Sequence, residues 1–135
     1  MTYLVDANVL SEPTRPRANP RVVDWLRAHE GNVVLDAIVL GELYAGILQH
    51  PAGRKRAELE RWFEAVIGTL ECLPWDGAVS RRWARLVALL KRRGRSLPLL
   101  DSMIAATALE HGLTVATRNV RDFEEAGVRV VDPFA

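Results

Sequence analysis

The chain has a single cysteine, Cys72, so it can form no internal disulfide, and a four-thiolate metal site is excluded. Lying in the apolar run Leu70 to Trp75, that cysteine is expected to be a small buried residue. Lysine is nearly missing too: only Lys55 and Lys91 stand among 18 basic residues, and the rest are arginine, the side chain better suited to bidentate contact with phosphate or carboxylate. No uncharged apolar run is long enough to span a membrane, and Asp6 interrupts the opening apolar residues too early for a signal-peptide core, so a cytoplasmic location is expected. His29, His50 and His111 lack the HExxH or Cys/His spacing of a zinc site. A formal charge of +1 neither demands nor forbids a polyanionic partner.

What is present is an ordinary globular composition, 49% hydrophobic and 26% charged over 135 residues, which predicts one domain over residues 1–135. Tyr3-Leu4-Val5 reads as a short buried strand ending at Asp6, and Val33-Val34-Leu35 as a second, followed by a helix from Ala37 to about Gln49 that Asp36 can cap. The proline-containing stretch Ser11 to Pro20 reads as a loop, Arg21 to His29 and Arg54 to about Ile67 as helices, and Thr69 to Leu73 as a strand. Beyond Asp76, Val79, Trp83, Leu86, Val87 and Leu90 recur at helical spacing, opposite Arg81, Arg82, Arg85 and Arg92. A helix from about Asp101 to His111 and strands at Leu113 to Thr117 and Arg129 to Val131 complete the set. Short apolar strands alternating with helices predict a three-layer α/β/α domain with a mostly parallel sheet, whose strand carboxyl ends are the preferred place for a site.

Three acids stand where such a site would form. Asp6 follows the first strand, with Asn8 two residues on; either could merely bond the backbone of a strand-to-helix turn. Glu42 sits on a helix apolar nearly all round, a half-buried charge that needs a partner, whether an arginine or a cation. Asp101 opens its helix, where a plain N-terminal cap competes with a ligand role. Brought together without a cation the three would repel, and an oxygen-rich site that keeps waters suits Mg²⁺ or Mn²⁺.

With these landmarks in order, the sequence resembles the PIN-domain nucleases and, within them, VapC-like ribonuclease toxins of type II toxin–antitoxin modules. The matching segments are Leu4-Val5-Asp6-Ala7-Asn8, Gly41-Glu42-Leu43-Tyr44-Ala45-Gly46, Leu100-Asp101-Ser102-Met103-Ile104-Ala105-Ala106-Thr107-Ala108, and Thr117-Arg118-Asn119-Val120-Arg121-Asp122-Phe123. The resemblance implies a PIN-like α/β/α fold and a Mg²⁺-dependent endoribonuclease, with Mn²⁺ a substitute. It further implies an RNA substrate, a cognate antitoxin and a homodimer, with no direct binding of DNA by this chain. Asp6, Glu42 and Asp101 match the principal acidic positions. The fourth is open between Asn119, the better positional match, and Asp122, the available charge. Asn8 and Thr117 would orient acids or water. Arg118 would contact substrate phosphate or pair with an acid elsewhere. The implied reaction is attack of water on an RNA phosphodiester with inversion, leaving a 5′-phosphate and a 3′-hydroxyl.

The arginine face from Arg81 through Arg95 reads as a solvated helix surface or as an RNA or partner contact, and the four tryptophans as core or interface. A receiver-type phosphotransfer domain is disfavoured, because Asp6 has no acid beside it and neither lysine follows a late strand. An inactive PIN-like RNA- or protein-binding module is the remaining alternative, kept open by the neutral Asn119.

Overall fold

The computed structural model describes residues 1–135. The strands are β1 (Tyr3–Val5), β2 (Val33–Asp36), β3 (Glu71–Leu73), β4 (Thr114–Ala116) and β5 (Val130–Val131). They form one sheet in the order β3-β2-β1-β4-β5, with every neighbouring pair parallel, as the sequence pattern predicted. Parallel neighbours need crossover connections, and helices supply them. These are α1 (Ala7–Leu10), α2 (Pro20–Ala28), α3 (Ala37–Leu48), α4 (Arg54–Ala65), α5 (Gly77–Arg92), α6 (Leu99–His111) and α7 (Val120–Glu125). No helix is long and apolar enough to cross a membrane.

Winding direction decides where the site lies. From β1 the chain steps outward through β2 to β3, then returns to the other side of β1 to lay down β4 and β5. Right-handed crossovers place the helices of the two halves on opposite faces, and the reversal puts the crevice of such a sheet at the carboxyl ends of β1 and β4. Asp6 and Thr117 both border it.

The core is built from strand residues Leu4, Val5, Leu35 and Val115 and from the inner faces of the helices. On α6, Ile104, Ala105, Ala106, Thr107 and Ala108 are all buried, and their mostly small size lets neighbouring elements approach from several sides. Gly112 ends this helix at φ +65°, the left-handed conformation that glycine adopts without strain.

Four details differ from the sequence expectations. Cys72 is exposed, because β3 is an edge strand and its outer side lacks a covering element. Helix α3 is less enclosed than expected: Val39, Leu43 and Ile47 are buried and Ile38 and Leu40 partly so, while Tyr44 and Leu48 remain about 40% exposed. The expected loop after Ser11 contains a 3₁₀ turn, Glu12–Thr14, stabilised where the buried Glu12 carboxylate accepts from the Asn19 N–H at 2.8 Å. Helix α6 begins directly after Pro98, two residues earlier than predicted, so Asp101 lies inside its first turn and makes no capping bond.

Ile104 is fully buried three residues from Asp101. Ile104→Ala should therefore lower the unfolding free energy by about 2–5 kcal/mol through lost burial and the cavity left behind. Urea unfolding would show it as a lower midpoint at unchanged slope.

Candidate active site

Asp6 is held more firmly than any other acid of the crevice. Its backbone N–H donates to the Ala116 carbonyl at 2.9 Å, continuing the β1–β4 ladder, so the residue is placed by the sheet itself. One carboxylate oxygen, Oδ1, accepts from the Ala7 N–H at 2.8 Å. The other, Oδ2, accepts from the Thr117 hydroxyl at 2.7 Å and from the Asn8 amide at 3.2 Å. Asn8 also accepts the Arg118 N–H through Oδ1 at 3.2 Å, tying the loop after β1 to the loop after β4. Asp6 is only 3% exposed, and burial pushes its pKa up against the opposing pull of the Thr117, Ala7 and Asn8 hydrogen bonds.

Glu42 and Asp101 arrive on α3 and α6. Glu42 is half-buried, and its Oε1 is enclosed without any hydrogen-bond partner. Burial first, then the charges of Asp6, Asp101 and Asp36, raise its pKa from 4.5 to about 7. No arginine comes to it, so the salt-bridge alternative is not realised. Burial also raises Asp101, from 3.8 to about 6, helped by the charges of Asp6 and Asp122 and by a side-chain hydrogen bond with Asp122. The capping alternative for Asp101 fails as well, because the first turn of α6 has Pro98 at the cap position.

The fourth position divides as chemistry would have it. Asn119 is exposed; its N–H donates to the Thr117 hydroxyl at 3.0 Å, and its side chain makes no capping bond. Asp122, half-buried in the first turn of α7, is near enough to Asp101 for its charge to raise the Asp101 pKa. Arg118 is exposed and enters no ion pair; its guanidinium lies 3.8 Å over the Phe134 ring.

Asp36 is a further carboxylate near the group. Residue pairing between β1 and β2 matches Leu4 with Val34, and two residues on, the same register sets Asp6 beside Asp36. Its interaction with Asp6 and Glu42 could not be read locally, since the sequence signals only a helix cap.

The acids face one another without closing on a point: no three His, Cys, Asp or Glu side chains already form a ligand set for one ion. An all-oxygen donor group of like charge, with one buried oxygen unpartnered, fits a hard divalent cation that keeps several waters, and Mg²⁺ is such an ion. Beside Glu42 and Asn8 a groove of about 430 Å³ runs along α3 and α4, bordered by Arg15, His50, Lys55 and Trp62.

A family model described as PIN domain matches residues 3–128, and the chain belongs to that family. The toxin FitB of Neisseria gonorrhoeae is 39% identical over 135 residues, covering 97% of both chains. The VapC ribonuclease Y4jK of Sinorhizobium fredii is 36% identical, covering 97% of this chain and 96% of its own. Among solved structures, FitAcB from Neisseria gonorrhoeae superposes with a TM-score of 0.93 at 39% identity, covering 98% of this chain and 99% of that one. The family resemblance and the parallel α/β architecture read from the sequence are both borne out.

The raised carboxylates give the metal-free fold a pH signature. A folded pKa above the unfolded value means that the native state binds more protons, so this contribution to stability is full below the ordinary carboxylate range and is lost as pH rises. The loss should begin in the ordinary carboxylate range and be complete above about 6 for Asp101 and about 7 for Glu42. Chelated protein should melt at a lower temperature at about pH 8 than at about pH 5, and Glu42→Gln should flatten the upper part of that fall.

Proposed function

We propose that this chain is a divalent-metal-dependent endoribonuclease and the toxin of a toxin–antitoxin pair. The observation that carries the reading is the meeting of Asp6, Glu42 and Asp101 at the carboxyl edge of the sheet, with Glu42 Oε1 buried and unpartnered. Like-charged groups in that setting are stabilised by a cation. The ribonuclease name of one relative and the toxin name of another support RNA as substrate and inhibition by a cognate antitoxin.

In this reading Asp6, Glu42 and Asp101 hold Mg²⁺, for which Mn²⁺ can substitute. Asp122 rather than Asn119 supplies the fourth carboxylate. The ion, when bound, neutralises phosphate charge and acidifies water. The protein's part is placement. Thr117 and Asn8 hold Asp6 in one orientation, leaving its carboxylate little freedom to rotate. Arg118, stacked on Phe134 and free of any acid, is held outward where it can meet a phosphate. Water attacks the scissile phosphodiester in line, leaving a 5′-phosphate and a 3′-hydroxyl. Single-stranded or looped RNA suits the site, because a bendable backbone can enter the crevice.

One PIN unit spans residues 1–135, acts in the cytoplasm and pairs as a homodimer, with the exposed Leu89, Leu99 and Leu100 of α5 and α6 as apolar surface available for contact. DNA is not a direct partner of this chain.

The test is cleavage of structured RNA by antitoxin-free protein with Mg²⁺ or Mn²⁺ and after chelation. Asp6→Asn should abolish metal-dependent cleavage, Asp122→Asn should lower kcat by roughly 10–100-fold, and Asn119→Ala should change it by less than about threefold. Equal cleavage with and without metal would sink the metal-nuclease reading. A larger loss from Asn119→Ala than from Asp122→Asn would reverse the assignment of the fourth position.

A further inference from the structure

Asp36 caps α3, but its surroundings exceed what a cap requires. The residue is 1% exposed, and both carboxylate oxygens are engaged: Oδ1 accepts from the Val39 N–H at 2.9 Å and Oδ2 from the Thr107 hydroxyl at 2.7 Å. Thr107 is itself fully buried on α6, 71 residues away along the chain. One side-chain oxygen suffices to cap a helix, and serine does it without burying a charge. A buried carboxylate here, next in register to Asp6, adds repulsion to a site already crowded with negative charge. Its second oxygen is what distinguishes it from a plain cap.

That oxygen joins the two helices that carry the less constrained acids. Glu42 lies six residues beyond Asp36 on α3, and Asp101 lies six residues before Thr107 on α6. Neither Glu42 nor Asp101 has the backbone and hydroxyl ties that hold Asp6. Their separation depends on how α3 sits against α6. We propose that Asp36 is a positioning residue of the acidic site, its carboxylate pinning the start of α3 to Thr107 of α6 and thereby setting the spacing of Glu42 and Asp101 for a divalent cation. The charge of Asp36 is also felt at Glu42, as expected for a group behind the same cluster. The inference rests on the metal-site reading above and names a residue that reading does not use.

Three variants of the full chain separate positioning from bulk stability. Thr107→Val keeps the shape of the side chain and removes the donor. Asp36→Ser keeps a cap for Val39 and cannot reach Thr107. Asp36→Asn keeps both links, since its amide oxygen can accept from Val39 and its amide N–H can donate to the Thr107 hydroxyl. Mn²⁺ binding by calorimetry without RNA, kcat and KM for RNA cleavage, and Tm are measured for each. Thr107→Val and Asp36→Ser should weaken Mn²⁺ binding roughly 10–100-fold and lower kcat with KM nearly unchanged, whereas Asp36→Asn should recover most of kcat. If the first two lower only Tm and leave Mn²⁺ affinity and kcat per folded molecule at wild-type values, Asp36 is merely structural and the inference is overturned. Wild-type protein that binds Mn²⁺ but cleaves no RNA rejects the ribonuclease reading, and the binding measurements alone then decide the role of Asp36. Failure of the wild type to bind Mn²⁺ overturns the inference together with the metal site.

Discussion

Repulsion among carboxylates held close together in a poorly hydrated crevice is the constraint around which the rest of this structure is organised. Burial alone would protonate these groups or drive them apart. The fold opposes both outcomes by spreading their attachment over the sheet and over separate helices: Asp6 directly after β1, Glu42 on α3, Asp101 on α6 and Asp122 on α7. Each element is anchored in the core by other residues, so the repulsion cannot be relieved by a small local movement. Val39, Leu43 and Ile47 bury α3, Ile104 and Ala108 bury α6, and Phe123 buries α7. Core packing therefore supplies the stability that the site gives up, a common arrangement where strain is kept for function.

The acids are not equally fixed. Asp6 is bound through its backbone to Ala116 and through its side chain to Ala7, Asn8 and Thr117, which makes it a rigid reference point. Glu42 has a buried oxygen with no partner, and Asp101 lies within reach of the charges of Asp6 and Asp122. Under the proposed function, one rigid acid beside less constrained ones would let the site take up a divalent cation together with its waters. Preorganisation is concentrated at Asp6, where β1 pairs with β4, and freedom remains in the Glu42 and Asp101 side chains.

Much of this was legible along the chain because it is local. Tyr3-Leu4-Val5 and Val33-Val34-Leu35 are short apolar runs that suit a strand covered on both faces, and the helical spacing from Val79 to Leu90 marks one buried side. Asp6, Glu42 and Asp101 stood out as acids in apolar settings. What failed did so for reasons of geometry. Cys72 lies between apolar neighbours at Leu70 and Leu73, but its strand is at the edge of the sheet, and position in a sheet is set by pairing partners. Helix α3 has apolar residues on nearly every side, and only the arrangement of its neighbours leaves Tyr44 and Leu48 facing out.

By itself the sequence determined the parallel α/β class, because strand length, helical period and residue type are properties of short stretches of chain, and its four matching segments carried the resemblance to the PIN family and marked Asp6, Glu42 and Asp101 as candidates. Only the tertiary structure decided that the charge of Asp122 is felt at Asp101, that Arg118 lies on Phe134 rather than on an acid, and that Asp36 reaches Thr107. Those outcomes depend on which way a side chain points once its helix is docked. Docking is a sum of contacts between segments as much as 111 residues apart, as Asp6 and Thr117 are, and no local pattern records it.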